Sequence, residues 1–168
     1  MGYRTRTMPS LVGRLTLVAG DAGLVAILWE NDNPKRVRLG SLAEDENDAI
    51  LGETERQLNA YFAGTLKAFT VPLDFRGTDF QKSVWAALLT IPFGETRSYA
   101  EIARAIGKPT ACRAVGAANG RNPISIIAPC HRVVGTDGRL TGFAGGLAAK
   151  EQLLRLERAA TSLYPGRR

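Results

Sequence analysis

At 168 residues, 45% hydrophobic and 23% charged, the chain has material for one domain or two small ones with a packed core. Two cysteines and one histidine exclude a disulfide framework and a zinc site built from cysteine and histidine alone. The formal charge of +6 favours a polyanionic partner, most simply nucleic acid. Met1-Gly2-Tyr3-Arg4 lacks a signal peptide's apolar core, and no apolar run is long enough to cross a bilayer; a soluble, reduced, cytoplasmic protein is expected.

In the first half, Leu15, Leu17 and Ala19 alternate along one segment, Gly20-Asp21-Ala22-Gly23 is turn chemistry, and Leu24 to Trp29 is apolar, which predicts a β-hairpin. Asn31 to Gly40 reads as a polar loop with a short edge strand through Val37 and Leu39. The spacing of Ile50, Leu51, Leu58, Tyr61 and Phe62 predicts a helix over Asp48 to Phe62, stopped at Gly64. Phe69 to Phe75 reads as another strand, placed at an edge or end by Pro72. Glu44-Asp45-Glu46 reads as a solvated face, and nothing in this half has the pattern of a site. The expectation is a small α+β support domain over residues 1–76, and a second domain over 77–168.

Helix signals strengthen from there. Thr78-Asp79-Phe80-Gln81 and Ser98-Tyr99-Ala100-Glu101 both fit capping boxes, in which the first and fourth side chains satisfy otherwise free amides. Behind the first, Phe80, Val84, Trp85, Leu88 and Leu89 form a stripe that ends at Pro92 and Gly94; behind the second run Ile102, Ala103 and Ile106. Gly107-Lys108-Pro109-Thr110 is a turn with Thr110 as the expected N-cap of a third helix, Ala111 to Gly120. Helix, short glycine-containing turn and helix make a helix-turn-helix pattern. The third helix is rich in small residues (Ala111, Ala114, Gly116, Ala117, Ala118, Gly120), so another surface can approach closely, and Arg113 is its one long cation. Leu140 to Gly146 is a glycine-rich loop around Phe143. A last helix runs from Leu147 to Ala160, and the tail Tyr164 to Arg168 reads as frayed.

Between the third helix and that loop lies Pro129-Cys130-His131-Arg132-Val133, which sets the only histidine beside one of the two cysteines. Thiolate is the nucleophilic form of cysteine, and a neighbouring imidazole promotes it. The pair alone equally fits a buried structural cysteine beside a histidine that satisfies a backbone group. Glu157, alone, reads as a surface glutamate pairing with Arg158 or Lys150.

Asn122-Pro123-Ile124 through Val134 resembles the active-site signature of methylated-DNA–protein-cysteine methyltransferases, the O6-alkylguanine-DNA alkyltransferases of direct repair. The likeness spans residues 78 to 158, including Gly94 to Tyr99, the Ala111 to Gly120 helix, and Gly145-Gly146-Leu147 with Lys150-Glu151. It implies an α+β protein: a ribonuclease-H-like N-terminal domain and a mostly helical, winged-helix-like C-terminal domain carrying the helix-turn-helix. By resemblance Cys130 is the alkyl acceptor, His131 the base acting through a water, and Glu157 the group that orients the imidazole. Asn122 braces the active-site turn. Tyr99 crowds the target phosphate and assists departure of guanine. Arg113 is the finger that fills the gap left by a flipped nucleotide, on a minor-groove helix that also presents Ala114 and Ala117. Backbone groups of Cys130, Val133 and Ala144, with Phe143 as aromatic wall, line the base pocket. Phe143 stands where many relatives have tyrosine, and the zinc ligands of some relatives are absent, so no metal or cofactor is implied.

The implied reaction is a single-turnover transfer of an alkyl group, chiefly methyl, from O6-alkylguanine (with O4-alkylthymine as a second substrate) in double-stranded DNA to Cys130. A monomer is expected, with cooperative binding along DNA left open. Adjacent residues of an extended segment face opposite ways, so Cys130 and His131 are expected to need a bridging water unless the chain turns. The alternatives are a non-enzymatic helix-turn-helix DNA-binding or lesion-sensing protein, and a thiol hydrolase; the latter is disfavoured because nothing recognisable supplies an oxyanion hole.

Overall fold

The computed structural model describes residues 2–162; Met1 and the tail Tyr164 to Arg168 lie outside the described residues. The protein is α+β. Strands β1 (Tyr3–Met8), β2 (Leu15–Ala19), β3 (Leu24–Trp29) and β4 (Leu42–Glu44) form a sheet of order β3-β2-β1-β4, antiparallel except for the β1–β4 pair. Helix α1 (Ala49–Phe62) packs on it, capped by Asp48, whose carboxylate accepts from Leu51 N at 2.9 Å. Leu15, Leu17, Ile27, Leu51, Leu58 and Tyr61 form its core together with Ile124 and Leu153 from the second half.

Two expectations for this half fail. Val37 and Leu39 form no strand; they pack as loop against Val18, Val25 and Ala26. The edge position is taken instead by β4, which pairs in parallel with β1, a strand whose mixture of threonine and arginine gave no periodic apolar signal. Phe69 to Phe75 is not a ladder either. It touches β3 through the single bridge Leu73–Leu24, because Pro72 has no N–H with which to extend the pairing.

The second half opens with α2 (Asp79–Leu88) and α3 (Tyr99–Ala105), each starting in the capping box read from sequence, Thr78 with Gln81 and Ser98 with Glu101. A turn follows in which Gly107 takes φ +76° and Lys108 N bonds back to Ala103 O at 2.9 Å, a glycine-dependent helix stop. Helix α4 (Cys112–Gly120) then begins at Ala111, which offers no side-chain cap, so the expected Thr110 cap is not used. A short parallel pair, β5 (Arg97–Ser98) with β6 (Val133–Val134), ties the start of α3 to the turn at Cys130–Arg132. Helix α5 (Leu147–Ser162) closes the chain. No helix of the described residues is long and apolar enough to cross a membrane.

The two halves are stitched together. Ile27 N bonds Pro123 O at 2.9 Å, and the buried Trp29 indole donates to Ser125 Oγ at 3.0 Å. Replacing Ser125 by Ala leaves that indole N–H without its acceptor. Chemical denaturation is expected to show a loss of about 1–3 kcal/mol, with near-native far-UV circular dichroism.

Candidate active site

The site is built on the loop between α4 and β6. Asn122, 1% exposed, bridges it: Nδ2 donates to Ala128 O at 2.8 Å while Oδ1 accepts from Ile124 N at 3.1 Å. Inside this brace Ile126 holds φ 75°, a conformation costly for a β-branched residue. Arg36, from the first half, donates to Asn122 O and, at 3.0 Å, to Ile27 O, while Asp32 neutralises it. The loop is thus clamped on both sides.

Clamping delivers a turn, not an extended strand. Cys130–Arg132 is a short 3₁₀ turn in which Arg132 N bonds Pro129 O at 2.9 Å, so the premise that Cys130 and His131 face opposite ways along an extended chain does not hold. Cys130 is 3% exposed and His131 fully buried. Burial pushes the thiol pKa up, opposed by a hydrogen bond from Asn122 and the charges of Arg36 and Lys150; at neutral pH the resting group is the thiol.

Glu157, expected on the surface when read alone, is fully buried on α5. His131 Nε2 lies 2.7 Å from its Oε2. Arg132 Nε donates to Oε1 at 2.8 Å and Nη2 to Oε2 at 3.0 Å, Gly94 N to Oε1 at 3.1 Å, and the Tyr61 hydroxyl to Oε2 at 2.6 Å. Burial raises the carboxyl's pKa, but the hydrogen bonds of His131 and Arg132 and the charge of Arg132 outweigh it and hold Glu157 at about 2. Burial lowers the imidazole pKa more than Glu157 raises it, so His131 is neutral and Arg132 is the balancing cation. A carboxylate only accepts, so the neutral ring carries its proton on Nε2. The lone pair then sits on Nδ1, which is buried and has no protein partner among the described residues.

Around this relay, Tyr99 opens α3, with its ring against Gly116 of α4 and its hydroxyl bonded to Thr141 Oγ1. Lys150, fully buried, donates to Val133 O at 2.7 Å, and Asn119 Nδ2 approaches Cys130 O at 3.5 Å. Phe143 and Ala144 are half-buried. Phe143 meets Trp29 edge-on at 5.3 Å, and Gly145 is required because a Cβ there would come within 2.7 Å of the Trp29 ring. Gly142, Phe143 and Ala144 face Lys35 and Arg36 across an open cleft of about 470 Å³, with Arg121 beside it. Arg113, Ala114 and Ala117 are exposed on the outer side of α4, as is Cys112, while Val115, Ala118 and Asn119 point inward. The candidate residues thus fall into two groups: a buried cluster around Cys130, and an outward α4 face on the other side of that helix. Tyr61, Arg36, Arg132 and Lys150 were not singled out from sequence as site residues; Arg132 adjoins His131, but the other three lie far from the signature in the chain.

Residues 3–75 match the family model described as 6-O-methylguanine DNA methyltransferase, ribonuclease-like domain, and residues 79–159 match its DNA binding domain. A methylated-DNA–protein-cysteine methyltransferase of Mycobacterium tuberculosis (strain H37Rv) is 53% identical over 156 residues, 92% of each chain. The chain belongs to the methylated-DNA–protein-cysteine methyltransferase family. A second member, from Methanosarcina acetivorans, is 63% identical over 112 residues, 67% of this chain and 72% of that one. Among solved structures of the family, that of M. tuberculosis OGT in complex with DNA superposes with TM-score 0.82 at 51% identity, covering 95% of this chain and 94% of that one.

The depressed Glu157 pKa has a testable consequence. A carboxyl held at about 2, against 4.5 when unfolded, stabilises the fold above pH 4.5 and loses that contribution as the pH falls through 2. It amounts to about 3 kcal/mol. Glu157→Gln also strands the buried Arg132 charge and is expected to cost about 3–5 kcal/mol at pH 7. Guanidinium unfolding from pH 7 to 2.5 is expected to show the wild type losing stability towards the variant below pH 4.5.

Proposed function

We propose that this chain is a direct-reversal DNA repair protein that transfers the alkyl group of O6-alkylguanine, chiefly methyl, to its own Cys130, once and irreversibly. Residues 1–76 act as the support unit and 77–168 as the unit that binds DNA and performs the transfer. The observation that carries the reading is the relay Glu157–His131, ending in the open Nδ1 on the turn that carries the buried Cys130.

The chemistry follows from the resting state. The thiol is protonated because charge is costly where it sits. His131 Nδ1 takes its proton through a bridging water, and Glu157 stabilises the imidazolium that forms, the logic of a hydrolase triad. Sγ attacks the alkyl carbon in line, the carbon–oxygen bond breaks, its electron pair leaves with guanine, and the proton taken from sulfur balances the charge of the departing base. Tyr99 assists that departure, its hydroxyl leaving Thr141 as the target phosphate approaches. The product is a thioether, a poor leaving group, so turnover ends there.

The target atom is stacked within a duplex, and extruding the nucleotide costs a few kcal/mol. Arg113 fills the gap. Ala114 and Ala117 leave the outer face of α4 low enough for the narrow minor groove. The flipped base enters beside Phe143 and is read by the carbonyls of Cys130 and Val133 and the amide of Ala144. Phe143 keeps the aromatic wall without a phenolic hydrogen bond. The protein works as a monomer, on cytoplasmic DNA.

Incubation with a duplex carrying O6-methylguanine, followed by intact-mass measurement, is expected to give a stoichiometric gain of one methyl in place of hydrogen, mapped to Cys130 and without turnover. Cys130→Ser is expected to bind the duplex and gain nothing. Binding by the wild type without any adduct would favour the lesion-sensing alternative and sink this one.

Arg113→Ala is expected to slow repair in duplex DNA by about tenfold or more, since more than about 1.4 kcal/mol of flipping cost goes uncompensated. Its rate with free O6-alkylguanine base is expected to stay unchanged. An equal loss with both substrates refutes the finger role.

A further inference from the structure

One polar group from the first half reaches the relay. Helix α1 runs over the sheet and delivers Tyr61, fully buried, to the back of Glu157. Its ring is enclosed by Phe62, Phe69 and Phe93, with centroids 5.4, 5.5 and 6.0 Å away. A phenylalanine would fill that cage equally well, so packing alone does not call for the hydroxyl. Burying a hydroxyl is costly unless it is bonded, and this one is bonded to the oxygen that also receives His131.

We propose that Tyr61 is a positioning residue of the proton relay: by donating to Glu157 Oε2 it fixes the carboxylate and sets how strongly that oxygen draws on His131 Nε2–H. The inference rests on His131 acting as the base. The other charged or titratable groups around the imidazole are Glu157 and Lys150 from α5, Arg132 from its own turn and the Cys130 thiol. Arg132 is committed to Glu157 and to Ile91 O at 2.6 Å, and Lys150 to Val133 O, so Tyr61 is a separate, uncharged control on the shared oxygen. Burial and the facing carboxylate keep the phenol protonated, which leaves donation as its only role there.

The sign follows. A donor on Oε2 spreads the carboxylate's negative charge. Without it Oε2 becomes a stronger acceptor, the imidazole becomes more basic, and protons from solution occupy it at higher pH. The single histidine makes this directly observable by NMR. In Tyr61→Phe the His131 Nε2–H proton is expected to move downfield. The acid limb of the Cys130 alkylation rate on O6-methylguanine duplex is expected to move up by about half a pH unit, with duplex affinity unchanged. Leu58→Ala, an apolar truncation on the same helix, is expected to lower thermal stability and move neither reading.

Uniform replacement of tyrosine by 3-fluorotyrosine makes the phenol a stronger donor and is expected to keep the fold and move the Nε2–H proton upfield. An Nε2–H proton that stays put or moves the other way in these proteins, or moves equally in Leu58→Ala, overturns the proposal. Failure of the wild type to form any adduct would instead defeat the functional reading, and the Nε2–H response would still judge Tyr61.

Discussion

The buried carboxylate of Glu157 is the interaction on which the rest depends. An unpaired carboxylate in such a place would simply take up a proton. It stays charged because both oxygens are filled by donors from separate parts of the chain: Tyr61 on α1, Gly94 after α2, and His131 and Arg132 on the active-site turn. The charge that makes the site chemically useful therefore also draws these segments together around α5. Arg132 extends the tie to Ile91 O, which fixes the link between α2 and β5. In the proposed mechanism stability and chemistry share one anion, and a change that neutralises it costs both.

A second constraint comes from the proposed reaction: the sulfur must be buried to meet a flipped base, yet burial suppresses its reactive form. The structure separates the two demands. The thiol rests protonated, and the groups that favour the thiolate, Asn122, Arg36 and Lys150, are rigidly held by backbone carbonyls or by Asp32. The unfavourable φ of Ile126 persists because Asn122 and Arg36 clamp the loop around it. In the proposed reaction this is preorganisation: the geometry is set at folding, before DNA arrives. Helix α4 carries the division further, since its inner face reaches the Cys130 carbonyl through Asn119 while its outer face exposes Arg113, Ala114 and Ala117. In the proposed function, lesion search and chemistry are one helix apart.

What could be read from sequence follows from range. The capping boxes at Thr78 and Ser98 were legible because both partners lie within one turn. Cys130 and His131 stood out as neighbours, though the 3₁₀ turn that carries them did not, because three residues have no periodicity to detect. Glu157 sits 26 residues from His131 on a helix whose other charges, Lys150 apart, face water, and only the family resemblance pointed to it. Tyr61 is 96 residues from Glu157 and fitted the apolar stripe of α1, where its hydroxyl was invisible as a signal. Arg36 lay in a loop read as polar surface, yet it spans 86 residues to Asn122. Strands β1 and β4 escaped because each is defined by its partner more than by its own pattern.

The first half was read as mere support, and its contacts argue for more. Trp29 carries two burdens at once: its ring is the floor on which Phe143 and Gly145 lie, and its N–H holds Ser125 in the loop that leads to Cys130. The aromatic wall of the pocket and the nucleophile's loop therefore take their relative position from a single indole on β3. Tyr61 does the same for the Glu157 carboxylate from α1, and Arg36 for the Asn122 brace. Each reaches a different component of the site, and each does so from the core of the N-terminal sheet or its edge loop. A C-terminal half folded alone would keep Cys130, His131 and Glu157 in sequence, but it would lose the groups that set their mutual distances. The proposed boundary near Arg76 thus divides the chain in sequence without dividing the candidate site.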